Sequence, residues 1–181
     1  ESLLTLNNLD VKSRLMHLRA FDINKVIKNT AATFEGICRN KKISIELILS
    51  GTQLYAYADM EQIQQVLYNL LDNAIKFSPN ESTITIETTE KNDRILVSVK
   101  DRGTGISKEN LPKIWNRFFK EDSSRGKDRK GTGLGLSIVK EIINAHKQNI
   151  DVISTEGRHG IYIQPGQDER LMPLIFGQRS F

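Results

Sequence analysis

The sequence contains a single cysteine, Cys38, among 181 residues. That excludes an internal disulfide, leaves a cysteine metal cluster without ligands, and suits a reducing compartment. No apolar run approaches the length of a membrane span, and no signal peptide precedes the first element. The excess of positive charge is only +4. This argues against a dedicated nucleic-acid binder while leaving room for a local basic patch facing an anion. Histidine is scarce, with His17, His146 and His159 alone available as imidazoles. The remainder is ordinary for a soluble globular protein, 38% hydrophobic and 27% charged, and long enough for one well-buried domain with an appendage. The first residue is Glu1 rather than Met, so the expectation is a piece of something larger.

Leucines at 3, 4, 6 and 9 read as the last turns of a helix too short to stand alone. Asp22 is positioned to cap a helix running to about residue 40, with Ile23, Val26, Ile27, Phe34, Ile37 and Cys38 on its buried face. Residues 43–49 and 54–58 read as two short strands separated by a turn. Asp59, with Gln62 three residues on, opens the most regular helix, in which Ile63, Val66, Leu67, Leu70, Leu71 and Ala74 form a 3-4 apolar stripe. It stops at residues 78–80, Ser-Pro-Asn. Residues 83–89 and 94–100 alternate and read as an antiparallel hairpin. A short helix is expected over residues 108–119, a charged loop after it, and a helix from Ser137 to about His146. Strands at 150–155 and 161–164 close the sheet. Helices interleave with antiparallel strands, which predicts an α/β fold: a two-layer α/β sandwich with a mixed sheet packed on about three helices.

Three segments carry chemistry. KGTGLGLSIVK (130–140) places Gly131, Gly133 and Gly135 where backbone can approach a ligand closely. It lacks the lysine and hydroxyl residue of a P-loop, and it follows a charged loop rather than the strand that a dinucleotide fingerprint requires. On the long helix, Gln65, Asn69, Asn73 and Lys76 recur at steps of four, four and three, forming a polar stripe beside the apolar one. Asparagine is a poor helix-interior residue. It does offer a carbonyl acceptor suited to Mg²⁺ and amide donors suited to phosphate oxygens. DRGTGI (101–106) ends a strand with a carboxylate followed by two glycines, bringing an acceptor for an exocyclic amine beside bare backbone.

In the order NLLDNAIKF, DRGTGI, NRFFK and GTGLGLSIVK, these segments resemble the asparagine, glycine and phenylalanine boxes of sensor histidine kinases. The match covers residues 20 to 165 and is to their catalytic ATP-binding domain, of Bergerat-type fold, within the wider GHKL ATPase superfamily. The resemblance implies ATP and Mg²⁺ as cofactors. Asn73 would hold the metal, Asn69 and Lys76 would face the phosphates, and Phe77 would lie beside the adenine. Asp101 would receive the adenine amine, with Gly103, Gly105 and Ile106 forming the pocket. Gly131, Gly133 and Gly135, with Thr132, Leu134 and Leu136 among them, would bring backbone N–H groups to the phosphates at a helix N-terminus. Residues 120–130 match the ATP lid, with Phe118 and Phe119 at its base, and Lys120 or Arg117 would reach the γ-phosphate.

Hydrolytic members of the superfamily carry a water-activating glutamate where this chain has Asn69, and an amide is no general base. Transfer to a histidine on a separate dimerisation domain is therefore the implied reaction, with a hydrolytic ATPase or a nucleotide-dependent interaction module as the alternatives. None of the three histidines fits the phosphoacceptor. His17 lies in the segment leading into the domain, His146 in a position that suits a structural role, and His159 in a terminal turn. The implied organisation is residues 1–19 as the end of a dimerisation hairpin with its linker, 20–165 as the catalytic domain, and 166–181 as an unassigned tail. The implied partners are that dimerisation domain and a downstream response regulator, with no nucleic acid. The full-length protein is expected to be a homodimer in or facing the cytoplasm, and this fragment a monomer.

Overall fold

Along the chain the elements are β1 (Leu18–Asp22), α1 (Ile23–Ala32), α2 (Glu35–Lys41), β2 (Ser44–Ile48), β3 (Tyr55–Asp59), α3 (Met60–Phe77), β4 (Thr83–Lys91), β5 (Arg94–Asp101), α4 (Gly135–Ala145), β6 (Asn149–Thr155) and β7 (Arg158–Gln164). The structure is a computed structural model and describes residues 15–92, 94–120, 132–155 and 158–164. Five strands form a mixed sheet in the order β2-β4-β5-β7-β6, with only the β2–β4 pair parallel. β1 and β3 form a separate antiparallel ribbon.

The sheet is buried on one face because its strands alternate. Ile84 and Ile86 of β4, Ile95, Val97 and Val99 of β5, Ile150 of β6 and Ile161 of β7 point into the core. The helical layer above them is α1, α3 and α4, whose apolar stripes meet the same core. Leu67, Leu70 and Leu71 of α3 are no more than 2% exposed, so truncating any one to alanine costs about 2–5 kcal/mol. This is the expected two-layer sandwich.

Both ends of α3 are secured by side chains. Asp59 caps its start, accepting from the Gln62 N–H at 3.1 Å and from the Gln62 side-chain amide at 3.0 Å. At the other end Ser78 turns to extended backbone before Pro79. There the Lys41 ammonium donates to the Ile75 and Ser78 carbonyls at 2.5 and 3.0 Å, placing a cation at the negative end of the helix dipole.

The expected helix over residues 22–40 is broken into α1 and α2. Thr33 folds back, donating both its N–H and its hydroxyl to the Thr30 carbonyl at 3.1 and 2.7 Å, and these bonds compete with the regular ladder. Residues 108–119 form successive turns instead of a helix. Pro112 has no N–H to donate, and the surviving bonds alternate between i→i−3 and i→i−4. Leu18 and Arg19, assigned to the linker from sequence, are the first residues of β1. His159 lies in β7, paired with Asp101 on one side and Ser154 on the other, rather than in a terminal turn. Among the described residues no helix is long and apolar enough to cross a membrane. The leucine-rich residues 1–9, the lid match at 121–130 and the tail at 166–181 lie outside the described residues.

Candidate functional site

The polar stripe of α3 faces the start of α4. A Cβ placed on Gly135 would lie 3.6 Å from Asn73 Nδ2 and 3.7 Å from Asn69 Oδ1. Two asparagine amides thus stand one methyl group away from the first residue of a helix. That helix has no side-chain cap, since its N-cap is Leu134, so the early N–H groups are left for another acceptor. Asn69 Nδ2 is buried and makes no hydrogen bond to the described residues. A buried donor without an acceptor costs about 1–3 kcal/mol, and a ligand oxygen would recover it. An anion such as a phosphate fits this cradle.

The Asp101 loop lies at the C-terminal end of α3, just beyond the stripe. Asp101 ends β5, and its Oδ1 accepts from the Gly103 N–H at 2.7 Å. Gly103 has no room for a side chain. A Cβ there would sit 2.8 Å from Asp101 Oδ1 and 2.9 Å from the Phe77 carbonyl oxygen. The loop is therefore pressed against the C-terminus of α3, where Phe77 is 60% exposed. Gly105 takes a positive φ of 76°, and the next N–H, that of Ile106, donates to Ser154 Oγ at 2.7 Å. Ser154 was not singled out from sequence. Only the sheet order, with β7 between β5 and β6, brings it to this loop.

The phenylalanine segment and the last glycine-rich segment are joined backbone to backbone. Phe118 at φ 64° donates its N–H to the Gly133 carbonyl at 2.9 Å, and Gly133 has φ 73°. A Cβ on Gly133 would come within 2.8 Å of the Phe118 carbonyl carbon. Leu134 is buried, Leu136 half-buried and Thr132 exposed, and Ser137 Oγ donates to the Leu134 carbonyl at 2.9 Å. Gly131 lies outside the described residues.

The candidate cations are placed differently from one another. Lys76 is ion-paired with Asp72 one turn earlier on α3. Arg117 binds Glu141 of α4, with Nη2 at 2.5 Å and Nε at 3.2 Å from the same oxygen. Beside it the Lys140 ammonium lies 5.3 Å from the centre of the Trp115 ring, so two contacts fasten residues 115–117 to α4. Lys120 is exposed and forms no ion pair with the described residues. Asp72 could have been picked out by its spacing of four from Lys76. Glu141, like Ser154, becomes visible only in three dimensions. His146 has a structural place, its Nε2 accepting the Asp59 N–H at 3.1 Å and its Nδ1 lying 2.8 Å from the Ile142 carbonyl. The Nδ1–H tautomer satisfies both bonds.

Among the described residues no group of three or more His, Cys, Asp or Glu could hold a metal. A divalent ion here would take most of its oxygens from a ligand and from water, which is the habit of Mg²⁺. The amide oxygen of Asn73 is a suitable neutral donor for it.

A mixed sheet under three helices, with an uncapped helix start facing an asparagine stripe, defines an α/β domain built to receive a phosphate-bearing ligand. Residues 58–168 match the family model described as histidine kinase-, DNA gyrase B-, and HSP90-like ATPase, and the chain belongs to that family. Within it, the chain is similar to the sensor histidine kinase WalK of Bacillus subtilis (strain 168), at 35% identity over 160 residues covering 86% of this chain and 26% of WalK. It is also similar to the catalytic domain of histidine kinase ThkA, at 29% identity and a TM-score of 0.74, covering 84% of this chain and 97% of that one. ThkA in complex with the response regulator protein TrrA is matched at 25% identity and a TM-score of 0.73, over 93% of this chain and 48% of that one. The fold is thus the Bergerat-type sandwich. The chain spans between 17% and 30% of the length of curated relatives it matches.

Proposed function

We propose that this chain is the ATP-binding catalytic domain of a two-component sensor histidine kinase. It passes the γ-phosphoryl group of ATP to a histidine on a separate dimerisation domain. The observation that carries this reading is the cradle formed by Gly135, Asn69 and Asn73 at the open start of α4. Its polar side chains are amides, with no carboxylate at the position of Asn69 to take a proton from water. Such a site holds a triphosphate and leaves the nucleophile to be supplied from outside.

In this reading Asp101 accepts the adenine amine, with Gly103 and Gly105 keeping the loop thin, Ile106 lining it and Phe77 flanking the base. Asn69, Lys76 and the backbone N–H groups from Gly131 to Leu136 hold the phosphates, and Lys120 or Arg117 meets the γ-phosphate. Mg²⁺ bound through Asn73 would neutralise charge that accumulates on the phosphate oxygens. The incoming histidine nitrogen forms its bond to the γ-phosphorus as the bond to the bridging oxygen breaks, and ADP leaves with the electron pair. Residues 20–165 form the catalytic unit, residues 1–19 are the end of the dimerisation hairpin with its linker, and residues 166–181 are an unassigned tail. The full-length protein is a homodimer working on the cytoplasmic side, its product histidine phosphate serving a response regulator. The ThkA–TrrA complex supports that partner class.

Calorimetric titration of this chain with ATP and ADP, with and without Mg²⁺, is the first test. Adding a histidine-bearing hairpin domain and following radiolabel from γ-labelled ATP is the second. Binding followed by label on the hairpin supports the reading. An absence of nucleotide binding would sink it, as would steady phosphate release that one carboxylate substitution abolishes.

A further inference from the structure

Asn69, Asp72, Asn73 and Lys76 stand at i, i+3, i+4 and i+7 of α3 and so share one helix face. Asp72 is thus a carboxylate placed among the groups that would hold phosphates, and it binds the lysine of that set. The two side chains are 32% and 33% exposed, at the rim of the site rather than on open surface. Arg117, a second candidate for the phosphates, is likewise held by a carboxylate, that of Glu141.

We propose that Asp72 is a specificity-determining residue, an internal anion that occupies Lys76 until a nucleotide phosphate displaces it. This inference rests on the nucleotide site described above. Phosphate binding is then an exchange in which Lys76 gives up a carboxylate oxygen for a phosphate oxygen, while Asp72 repels the incoming charge. The repulsion grows with the number of phosphates, and both effects vanish for a nucleoside. Asp72 therefore makes the site discriminate less between ATP and adenosine than its cations alone would. The rival reading is a helix staple, because an acidic residue four before a lysine stabilises any helix slightly.

Asp72→Asn separates the two readings, since it keeps the shape and removes the charge. Titrations of ATP, ADP and adenosine are run without Mg²⁺, so that no metal offsets the carboxylate. ATP should bind about three- to tenfold more tightly to the variant, ADP by less, and adenosine unchanged. Most of the gain should be lost when Lys76→Met is added. An unchanged ATP-to-adenosine ratio, with or without a small fall in Tm, overturns the proposal in favour of the staple. Weaker ATP binding by Asp72→Asn also overturns it. If the wild-type chain binds ATP and Lys76→Met weakens that binding, the nucleotide site stands whatever Asp72→Asn does. If the wild type binds no nucleotide, the site and the proposal fall together.

Discussion

Substituting Gly135 by alanine should separate the stability of this domain from its binding function. The added Cβ would meet Asn73 Nδ2 at 3.6 Å, Asn69 Oδ1 at 3.7 Å and Asn69 Cβ at 3.9 Å. All three are ordinary van der Waals separations, so the folded protein accepts the methyl without strain. Gly135 is the first residue of α4 and has no positive φ to defend. Alanine is favoured over glycine in a helix by up to about 1 kcal/mol, and by less in the first turn. For a domain of this size that corresponds to a Tm unchanged or raised by up to about 3 °C. The same methyl occupies the space through which a phosphate oxygen must come to within about 2.9 Å of backbone N–H groups. ATP affinity should fall at least tenfold, about 1.4 kcal/mol. Calorimetry with ATP, paired with a thermal melt of each protein, reads both quantities. Wild-type ATP affinity in a fully folded Gly135→Ala protein would refute the placement of the phosphates between α4 and the asparagine stripe.

Gly103→Ala should lose stability as well as binding. Its Cβ would press on the Phe77 backbone at 2.9 Å, so overpacking of about 1–3 kcal/mol should lower Tm as well as nucleotide affinity, and an unchanged melt would show that the loop can yield. Asp59 sets an acid limit. Burial raises its pKa, but hydrogen bonds from the Gln62 N–H, the His17 N–H and the Gln62 side chain outweigh burial and hold it below the ordinary carboxylate value. A carboxylate depressed by folding stabilises fully above its unfolded pKa and loses that contribution as pH falls through the folded one. The difference in urea midpoint between wild type and Asp59→Asn should therefore stay constant at pH 5 and above, then shrink below about pH 4. A gap that widens on acidification would contradict this. His146→Leu should cost about 1–3 kcal/mol in chemical denaturation by leaving the Asp59 N–H without its acceptor. In His146→Gln a carbonyl oxygen can take the place of Nε2, and most of the loss should be recovered.

The parts of this molecule legible in its sequence are those specified locally. The apolar stripe of α3 and the Asp59 cap, three residues before Gln62, lie within a few turns of one another, so periodicity is enough to find them. The β4–β5 hairpin is legible for the same reason, its alternation running on both sides of a short turn. β1 was missed because nothing in LRAFD alternates. Its extended form is set by pairing Leu18 with Asp59 and Asp22 with Tyr55, a partner strand more than thirty residues away. The break between α1 and α2 was missed because a threonine hydroxyl competing for a carbonyl leaves no trace in the apolar pattern.

The same division runs through the site. Glycines and asparagines that must leave room or offer amides stand in short motifs at the ends of elements, where the chemistry of each residue type points to its task. The state of the cations is different in kind. Whether Arg117 is available to a ligand depends on Glu141, and whether the acidic loop holds its shape depends on Ser154, and neither contact has a sequence spacing of its own. Lys76 is the instructive intermediate. Its partner Asp72 is one helical turn away and was readable from the start, yet a lysine four residues after an aspartate looks like any solvated helix pair. What distinguishes it is position, because the face that carries the pair also carries Asn69 and Asn73, and that face meets the start of α4 at Gly135. In the exchange proposed for Asp72, the tuning of ligand charge therefore falls to an acidic residue beside the amides, and Asp72→Asn tests it without touching any of the glycines.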